Sequence, residues 1–147
     1  LIEALLRAGD AGAKIDLIVR GACMLPGQLT ENIRVRSIIG RFLEHSRVFY
    51  FRAGEREELW LSSADWMNRN MLRRVETAWP VTDPGLRQRI IDECLVAYLY
   101  DEADAWVQGA GGAYSRVAQD GTDSGVSAQQ ALMARYGSKS NGDLEWT

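Results

Sequence analysis

The spacing of apolar and polar residues near the start of the chain predicts a helix followed by a buried strand. Residues 1–12 (LIEALLRAGDAG) repeat apolar side chains at helical spacing and end at a glycine. IDLIVRG (15–21) is a continuous apolar run rich in β-branched residues, which is typical of a buried strand. Together they indicate an α/β unit. Arg20 falls at the carboxyl end of this strand, where open α/β sheets gather their ligand sites.

The middle of the chain carries strand patterns separated by turn residues and then one long amphipathic helix. Residues 22–32 predict a loop, because a Pro-Gly pair interrupts the pattern. The patterns predict a strand at IRVRSII (33–39), a β-hairpin from RVFYF (47–51) through RAGERE (52–57) to ELWLSS (58–63), a strand at RRVETAWPV (73–81) and a helix at DPGLRQRIIDECLVAYLY (83–100). Asp83 is a natural N-cap for that helix, and Pro84 suits its first position.

The pattern becomes more polar and glycine-rich after about residue 103. AWVQ (105–108) and YSRVA (114–118) could pair across GAGGA, residues 127–137 predict a last short helix, and SKSNGDLEWT predicts a frayed end. The GAGG stretch follows no buried strand and opens no helix, which disfavours a phosphate-binding loop. We therefore expect residues 1–103 to form the core of one domain and residues 104–147 to form a partly flexible extension of it.

Composition bounds the class of protein without identifying it. The chain has 147 residues, 46% hydrophobic and 25% charged, which suits one soluble globular domain. No apolar run reaches the roughly 18 residues of a membrane span. Cys23 and Cys94 show no metal-binding spacing and indicate a reducing compartment. The chain begins without methionine inside a predicted helix, so we expect it to be part of a longer protein, lacking part of its active site.

The basic residues are unevenly divided between fifteen arginines and only two lysines, Lys14 and Lys139. Arginine binds phosphate oxygens through a planar fork, although a genome that favours arginine codons explains the overall bias more simply. The net charge is −3, so a general nucleic-acid binder is not indicated.

His45 in FLEHSR (42–47) is the only histidine in the chain. A single histidine is more often structural than catalytic, but this one lies just before a strong strand pattern. An imidazole can exchange protons at neutral pH or carry a phosphoryl group, and a phosphoryl group needs positive donors around its oxygens. The candidate donors, each of which could instead form a surface salt bridge, are Arg20, Arg34, Arg36, Arg41 and Arg47.

LSSADWMNRN (61–70) follows the second strand of the predicted hairpin and is rich in small polar residues. Ser62, Ser63 and Asp65 could orient an imidazole or a phosphate. The alternative is a turn and a helix cap, with Trp66 in the core.

The two polar stretches together resemble the phosphate-handling motif of the phospholipase D superfamily. That pattern is H-x-K, a downstream Asp, and then G-S-x-N. Here Arg47 stands for Lys, Ser62 for Gly and Asp65 for Asn, and RVFYFRAG supplies no Asp. These departures disfavour ordinary phospholipase or nuclease activity.

A more specific resemblance covers about residues 1–100. KIDLIVRGAC, ENIRVRSIIGRFLEHSRVFYF and SSADWMNRN followed by RRVETAWPV resemble the C-terminal domain of bacterial polyphosphate kinase. The resemblance implies an α/β, phospholipase-D-like domain with a mixed β-sheet flanked by helices. It also implies reversible transfer of the terminal phosphate of ATP to polyphosphate through a phosphohistidine, which belongs to a preceding domain absent here.

The resemblance assigns roles to individual residues. His45 matches a catalytic histidine near the nucleotide phosphates, and Arg20 matches an arginine that binds those phosphates. Arg47, Ser62, Ser63 and Asp65 would support them. No metal ligand of the family falls on this chain, so Mg²⁺ would be bound mainly outside it, and the isolated chain would be inactive.

The implied partners are ATP or ADP, inorganic polyphosphate and the remaining domains of the parent protein, and not nucleic acid. The family implies a cytoplasmic homo-oligomer and leaves open a peripheral membrane association. Two alternatives remain: a phosphodiesterase or transphosphatidylase half-site of the phospholipase D superfamily, with His45 as the nucleophile, and a non-catalytic interaction module in which His45 and Arg20 are structural.

Overall fold

The fold is known from a computed structural model that describes residues 1–21, 23–25, 30–118 and 125–137. In chain order its elements are α1 (Ile2–Asp10), β1 (Ile15–Ile18), β2 (Ile33–Ile38), β3 (Val48–Ala53), β4 (Arg56–Ser62), α2 (Asn68–Arg73), β5 (Ala78–Pro80), α3 (Pro84–Ile90), a π-helical segment (Ile91–Val96), α4 (Ala97–Leu99), β6 (Ala105–Gln108), a 3₁₀ turn (Ala110–Gly112), β7 (Tyr114–Arg116) and α5 (Ala128–Gly137). The chain divides into two compact units, one made of Leu1–Glu44 with Tyr98–Thr147 and the other of His45–Ala97.

The first unit contains a four-stranded mixed sheet in the order β1-β2-β6-β7. β1 runs parallel to β2, whereas β6 is antiparallel to both of its neighbours. The pairing predicted between residues 105–108 and 114–118 is therefore confirmed. Its core contains the buried Leu25, Ile33 and Val35, against which pack Ile2, Leu6, Ile15, Leu17, Val19, Cys23 and Tyr114.

The first strand differs from the buried strand that its apolar run predicts. Within the described residues, β1 lies at the edge of its sheet, ends at Ile18, and has no fully buried residue. Ile15 and Leu17 face the core, but Asp16 between them is exposed. Alternate residues of a strand point to opposite faces, so a strand can pack one face against the core while its other face stays exposed. The strand of this sheet that is mostly buried is instead β2, in which four of six residues are buried.

The start of α5 is anchored by two acidic residues of the same unit. Asp101 is almost completely buried, and its carboxylate accepts hydrogen bonds from the backbone N–H groups of Asp104 and Ala128, both at 2.7 Å. Ser127 caps the helix by accepting from the N–H of Gln130 at 3.2 Å, and it donates to Asp104 at 2.7 Å. Helix α5 is the last helix that the sequence predicts, and its first turn is fixed in place.

The second unit contains a three-stranded antiparallel sheet in the order β3-β4-β5. β3 and β4 form the predicted hairpin, with Val48 opposite Leu61 and Ala53 opposite Arg56. Gly54 in the connecting turn has φ +62, a left-handed conformation that suits glycine. Of the strand predicted at 73–81, only β5 pairs in the sheet; Arg73 ends the short helix α2, and residues 74–77 connect the two elements.

The long helix predicted at 83–100 is confirmed as a continuous helical stretch from Pro84 to Leu99. Asp83 caps it by accepting from the N–H of Leu86 at 2.7 Å, and Pro84 occupies the first turn. The middle of the stretch, Ile91–Val96, is π-helical, which the apolar spacing does not predict.

Several predictions concern the end of the chain. The described part of residues 104–147 lies in the same unit as residues 1–44, and α5 confirms the last predicted helix. The predicted frayed end at 138–147 lies outside the described residues, and the flexibility expected of the extension stays a prediction. Among the described residues, no helix combines the length and apolar character needed to cross a bilayer.

Candidate functional site

The polar motifs of the second unit meet at one end of its sheet. Antiparallel pairing of β3 and β4 places Arg47 opposite Ser62, whose N–H donates to the Arg47 carbonyl at 3.1 Å. Pairing of β4 with β5 likewise places Ser63 opposite Thr77, with 3.0 Å between the Ser63 N–H and the Thr77 carbonyl. Strand register therefore brings together residues that are up to about 30 positions apart. The sheet end that carries these residues is called the hairpin-end site.

Arg47 is the central cation of the hairpin-end site. Its Nη2 and Nε lie 2.7 and 2.9 Å from Oδ1 of Asp65. The side chains are 17% and 24% exposed, so this ion pair is partly shielded from water, and removing either partner would leave a partly buried charge unpaired. Nη1 also donates to the carbonyl of His45 at 3.0 Å, which fixes the guanidinium between the two motifs.

The His45 side chain is exposed and lies against the same guanidinium. Nη1 and Nη2 of Arg47 are 3.2 and 3.3 Å from Nδ1 and Nε2 of the His45 ring. Arginine only donates, and a neutral imidazole has one accepting nitrogen and one N–H. At most one of the two contacts is therefore a hydrogen bond, and it requires the neutral ring. The arrangement places an exposed imidazole beside a guanidinium that the His45 carbonyl holds in position.

The hydroxyls of Ser62 and Ser63 bind protein groups at this end of the sheet. Ser62 donates to the carbonyl of Thr77 at 3.1 Å and accepts from the N–H of Ala64 at 3.0 Å. Ser63 donates to the carboxylate of Glu76 and accepts from the N–H of Thr77 at 3.0 Å. Both serines thus hold the turn after β4 to the segment before β5, with their hydroxyl protons already used.

Glu76 and Asn70 belong to the same network, and sequence reasoning missed both. The buried Asn70 side chain donates to Glu76 at 2.7 Å, from the opposite side to Ser63. The hydrogen bond from Ser63, followed by that from Asn70, lowers the pKa of Glu76 below its ordinary value. Glu76 stood in a predicted strand and Asn70 in a predicted turn, so residue type and motif spacing gave no sign that they meet.

An aromatic pair supports the turn that carries Asp65. The rings of Phe49 and Trp66 stack with 4.9 Å between centroids and 7° between planes. Trp66 remains 39% exposed, so it covers β3 from the surface and does not enter the core. The stack fixes the turn because Trp66 follows Asp65 directly.

In the first unit, Arg20 lies on the surface two residues beyond the end of β1. Val19 continues the ladder by donating to the Arg36 carbonyl at 2.8 Å, after which the chain turns at Gly21 with φ +76. Among the residues that the structure describes, Arg20 has one hydrogen-bond acceptor, the backbone carbonyl of Glu44. No ion pair of Arg20 is found among the described residues.

The segment that includes Phe42 and Glu44 is held by Gln129 at the start of α5. The Gln129 amide accepts from the Phe42 N–H and donates to the Phe42 carbonyl, each at 2.8 Å. It also donates to the Glu44 carboxylate. These three contacts are called the Gln129 clamp. The sequence gives no signal for it, since the partners are separated by 85 and 87 positions.

The other candidate arginines of the first unit have partners of their own. Arg34 pairs with Asp16 at 2.8 Å on the exposed side of the sheet. Arg36 donates to the carbonyls of Tyr98 and Asp101 at 3.0 and 3.3 Å. The guanidinium of Arg41 lies 5.4 Å from the ring centroid of Phe42. Arg34 thus forms a surface salt bridge, the alternative that the sequence left open, whereas Arg36 binds backbone carbonyls and Arg41 lies near an aromatic ring.

The described residues contain no large cluster of metal-ligating side chains. Mg²⁺ takes oxygen ligands in a near-octahedral arrangement, usually with one or two carboxylates. Nowhere in residues 1–21, 23–25, 30–118 and 125–137 do three or more His, Cys, Asp or Glu side chains lie together as possible metal ligands. The carboxylate of Asp65 is already paired with Arg47.

A mixed sheet flanked by helices, with the histidine motif and the serine-rich turn meeting through strand pairing, defines an α/β domain of the phospholipase-D-like class. The chain belongs to the polyphosphate kinase family, because the family model described as "Polyphosphate kinase C-terminal domain 2" matches residues 1–129.

Relatives of known name support the same family. The chain is 49% identical over 136 residues to a polyphosphate kinase of Xylella fastidiosa strain 9a5c, covering 90% of this chain and 20% of the relative. It is 50% identical over 140 residues to one of Neisseria meningitidis serogroup B, covering 93% and 20%. The crystal structure of polyphosphate kinase from Porphyromonas gingivalis matches with a TM-score of 0.83 and 41% identity, covering 94% of this chain and 21% of that one.

The chain therefore spans about a fifth of the length of the relatives that it matches. These named relatives are all polyphosphate kinases, and they give no support to the phosphodiesterase alternative.

Proposed function

We propose that this chain is the C-terminal part of an enzyme that reversibly transfers the terminal phosphate of ATP to polyphosphate. The transfer would proceed through a phosphohistidine in a preceding part of the protein. The observation that carries the proposal is the exposed His45 ring against the Arg47–Asp65 pair, in a chain of the polyphosphate kinase family. Phosphoryl transfer depends mainly on positioning and charge stabilisation, which these groups can supply.

In this proposal His45 acts directly on the transferring phosphoryl group. A neutral imidazole can accept a proton from a phosphate oxygen and return it in the reverse direction. Both ring nitrogens lie against Arg47, so this role requires one of the two contacts to give way to substrate. Asp65 supports His45 indirectly by holding Arg47, and Ser62 and Ser63 support it by holding the turn that carries Asp65.

Arg20 would bind the phosphates of ATP or ADP. Its side chain is exposed, and the Glu44 carbonyl orients one guanidinium nitrogen. A guanidinium fork suits two oxygens of one phosphate, and charge-assisted bonds of this kind are roughly twice as strong as neutral ones.

We further propose that the remaining domains of the parent protein supply what this chain lacks. These parts would hold the phosphorylated histidine and most Mg²⁺ contacts, and a cytoplasmic homo-oligomer would be the working form. The isolated 147 residues should accordingly be inactive. Formation of polyphosphate from ATP by the isolated chain would contradict this part of the proposal.

The test uses the parent protein incubated with ATP and Mg²⁺, with polyphosphate separated on a gel. Wild type should form polymer, and His45→Ala should form little. Ser115→Ala, an exposed change in β7, serves as the matched control and should behave as wild type. Polymer from all three proteins would retain the reaction and remove His45 from it. No polymer from folded wild type, with cleavage of a phosphodiester substrate instead, would favour the phosphodiesterase alternative.

A further inference from the structure

Gln129, at the start of α5, is only 4% exposed, which is unusual for a polar residue. A buried amide must use both its acceptor and its donor to avoid a desolvation penalty. Gln129 does so by pairing with both backbone groups of Phe42, each at 2.8 Å. The backbone fixes the orientation of the amide, since its oxygen must face the N–H and its nitrogen the carbonyl.

Space for this amide is provided by a glycine. A Cβ atom at Gly40 would lie 2.6 Å from Oε1 of Gln129 and 3.0 Å from Oδ2 of Asp104. Asp104 accepts from Ser127, the N-cap of α5, so both neighbours of Gly40 belong to the same anchored region. The Gln129 clamp therefore rests on a helix start that cannot shift freely.

The clamp leads to Arg20 within the first unit. The Gln129 side chain binds the backbone of Phe42 and the carboxylate of Glu44. The carbonyl of Glu44 is in turn the acceptor for Nη1 of Arg20. An exposed arginine side chain has many accessible rotamers, so a fixed acceptor is needed to keep its guanidinium in one orientation.

We propose that Gln129 is a positioning residue for Arg20, acting through the backbone of Glu44. The inference rests on the phosphate-binding role proposed for Arg20. It gives the start of α5 a function in nucleotide binding that requires no direct contact between Gln129 and the nucleotide. Gln129 orients the guanidinium before ATP arrives, which reduces the entropy lost on binding.

The experiment measures kcat and KM for ATP in the parent protein carrying Gln129→Ala, Arg20→Ala or both. Gln129→Ala should raise KM by about tenfold, the effect expected when buried hydrogen bonds worth about 1–2 kcal/mol are lost. kcat should change less than KM. Because Gln129 acts through Arg20, the double variant should have the KM of Arg20→Ala alone. Gln130→Ala, at the exposed neighbour in α5, should leave both constants unchanged.

The double variant separates positioning from general stability. If Gln129 were purely structural, Gln129→Ala would lower Tm, and its effect on KM would not depend on the presence of Arg20. Gln129→Glu is the second variant, since it keeps the side-chain volume and the acceptor for Phe42 but loses the donor and repels Glu44. It should raise KM as Gln129→Ala does.

The positioning role of Gln129 would be overturned if its folded variants kept the wild-type KM, or if the KM increases of the two single variants multiplied in the double variant. Either result would leave the proposed role of Arg20 intact. An unchanged KM in Arg20→Ala would instead remove the proposed role of Arg20.

Discussion

Arg47 and Asp65 form an ion pair with 2.7 Å between Nη2 and Oδ1, at the end of the β3–β4 hairpin. They are also two of the positions at which this chain departs from the H-x-K and G-S-x-N pattern, with Arg for Lys and Asp for Asn. The two departures are therefore in contact in the folded protein, because the carboxylate of Asp65 faces the guanidinium of Arg47. An arginine paired with an aspartate thus stands where the pattern has a lysine and a neutral asparagine.

The first prediction follows from this pairing. Asp65→Asn should leave Arg47 without its counter-charge, and Arg47→Lys should lose the two-nitrogen contact to Asp65. Each single change should lower polyphosphate synthesis by the parent protein about tenfold or more. The double variant restores the motif residues and should lose less than the product of the two single effects, which initial rates can measure. Multiplied losses would show that the residues act independently.

The second prediction concerns the pH dependence of stability. The hydrogen bond from Ser63 is the main cause that lowers the pKa of Glu76 in the folded protein. A carboxylate with a lowered folded pKa stabilises the fold above its unfolded pKa of about 4.3, and this stabilisation is lost as the pH falls through the folded value. Ser63→Ala should therefore move acid unfolding of the parent protein to higher pH, as followed by circular dichroism. Ser115→Ala is the control and should leave the acid midpoint unchanged.

The third prediction tests the buried amide beside Glu76. Asn70→Asp replaces the donor at 2.7 Å with a second carboxylate, which should repel Glu76. We expect a loss of about 1–3 kcal/mol in the free energy of unfolding at neutral pH, because a buried partner is lost. Asn68→Asp makes the same chemical change at an exposed position in the first turn of α2 and should be nearly neutral. Equal Tm values for the two variants would contradict the network.

The fourth prediction tests the space that the Gln129 clamp needs. Gly40→Ala would bring a methyl group within 2.6 Å of Oε1 of Gln129, so the clamp must open. The variant should raise KM for ATP as Gln129→Ala does, by about tenfold. Gly137→Ala is the matched control, since nothing lies within 4 Å of its added Cβ. Identical ATP kinetics for both variants would show that the clamp tolerates displacement.

The elements of the fold follow well from local sequence, and their pairing does not. Alternating residues predict β2 and the β3–β4 hairpin, and Asp83 with Pro84 predicts a helix start that the structure confirms. The edge position of β1 depends on which strands lie beside it, and apolar content does not encode that. Likewise the strand predicted at 73–81 shortens to β5, since only Ala78–Pro80 find partners on β4.

The site shows the same division. His45, Arg47 and Asp65 can be selected from residue type and motif spacing. Glu76 and Gln129 cannot, because each is an ordinary polar residue whose partners are fixed by strand register or by a distant helix. Buried polar contacts between remote segments leave no periodic signal in the chain.

The division of the chain has a consequence for the order of folding. Residues 45–97 interrupt the first unit, whose sheet needs β6 beside β2, so Ile38 must wait for Ala105 to be synthesised before pairing. The second unit depends on a local hairpin, with Ala53 and Arg56 paired across a short turn. Local contacts close at a lower entropic cost than distant ones. On the ribosome the inserted unit can therefore form before the sheet of the first unit is completed.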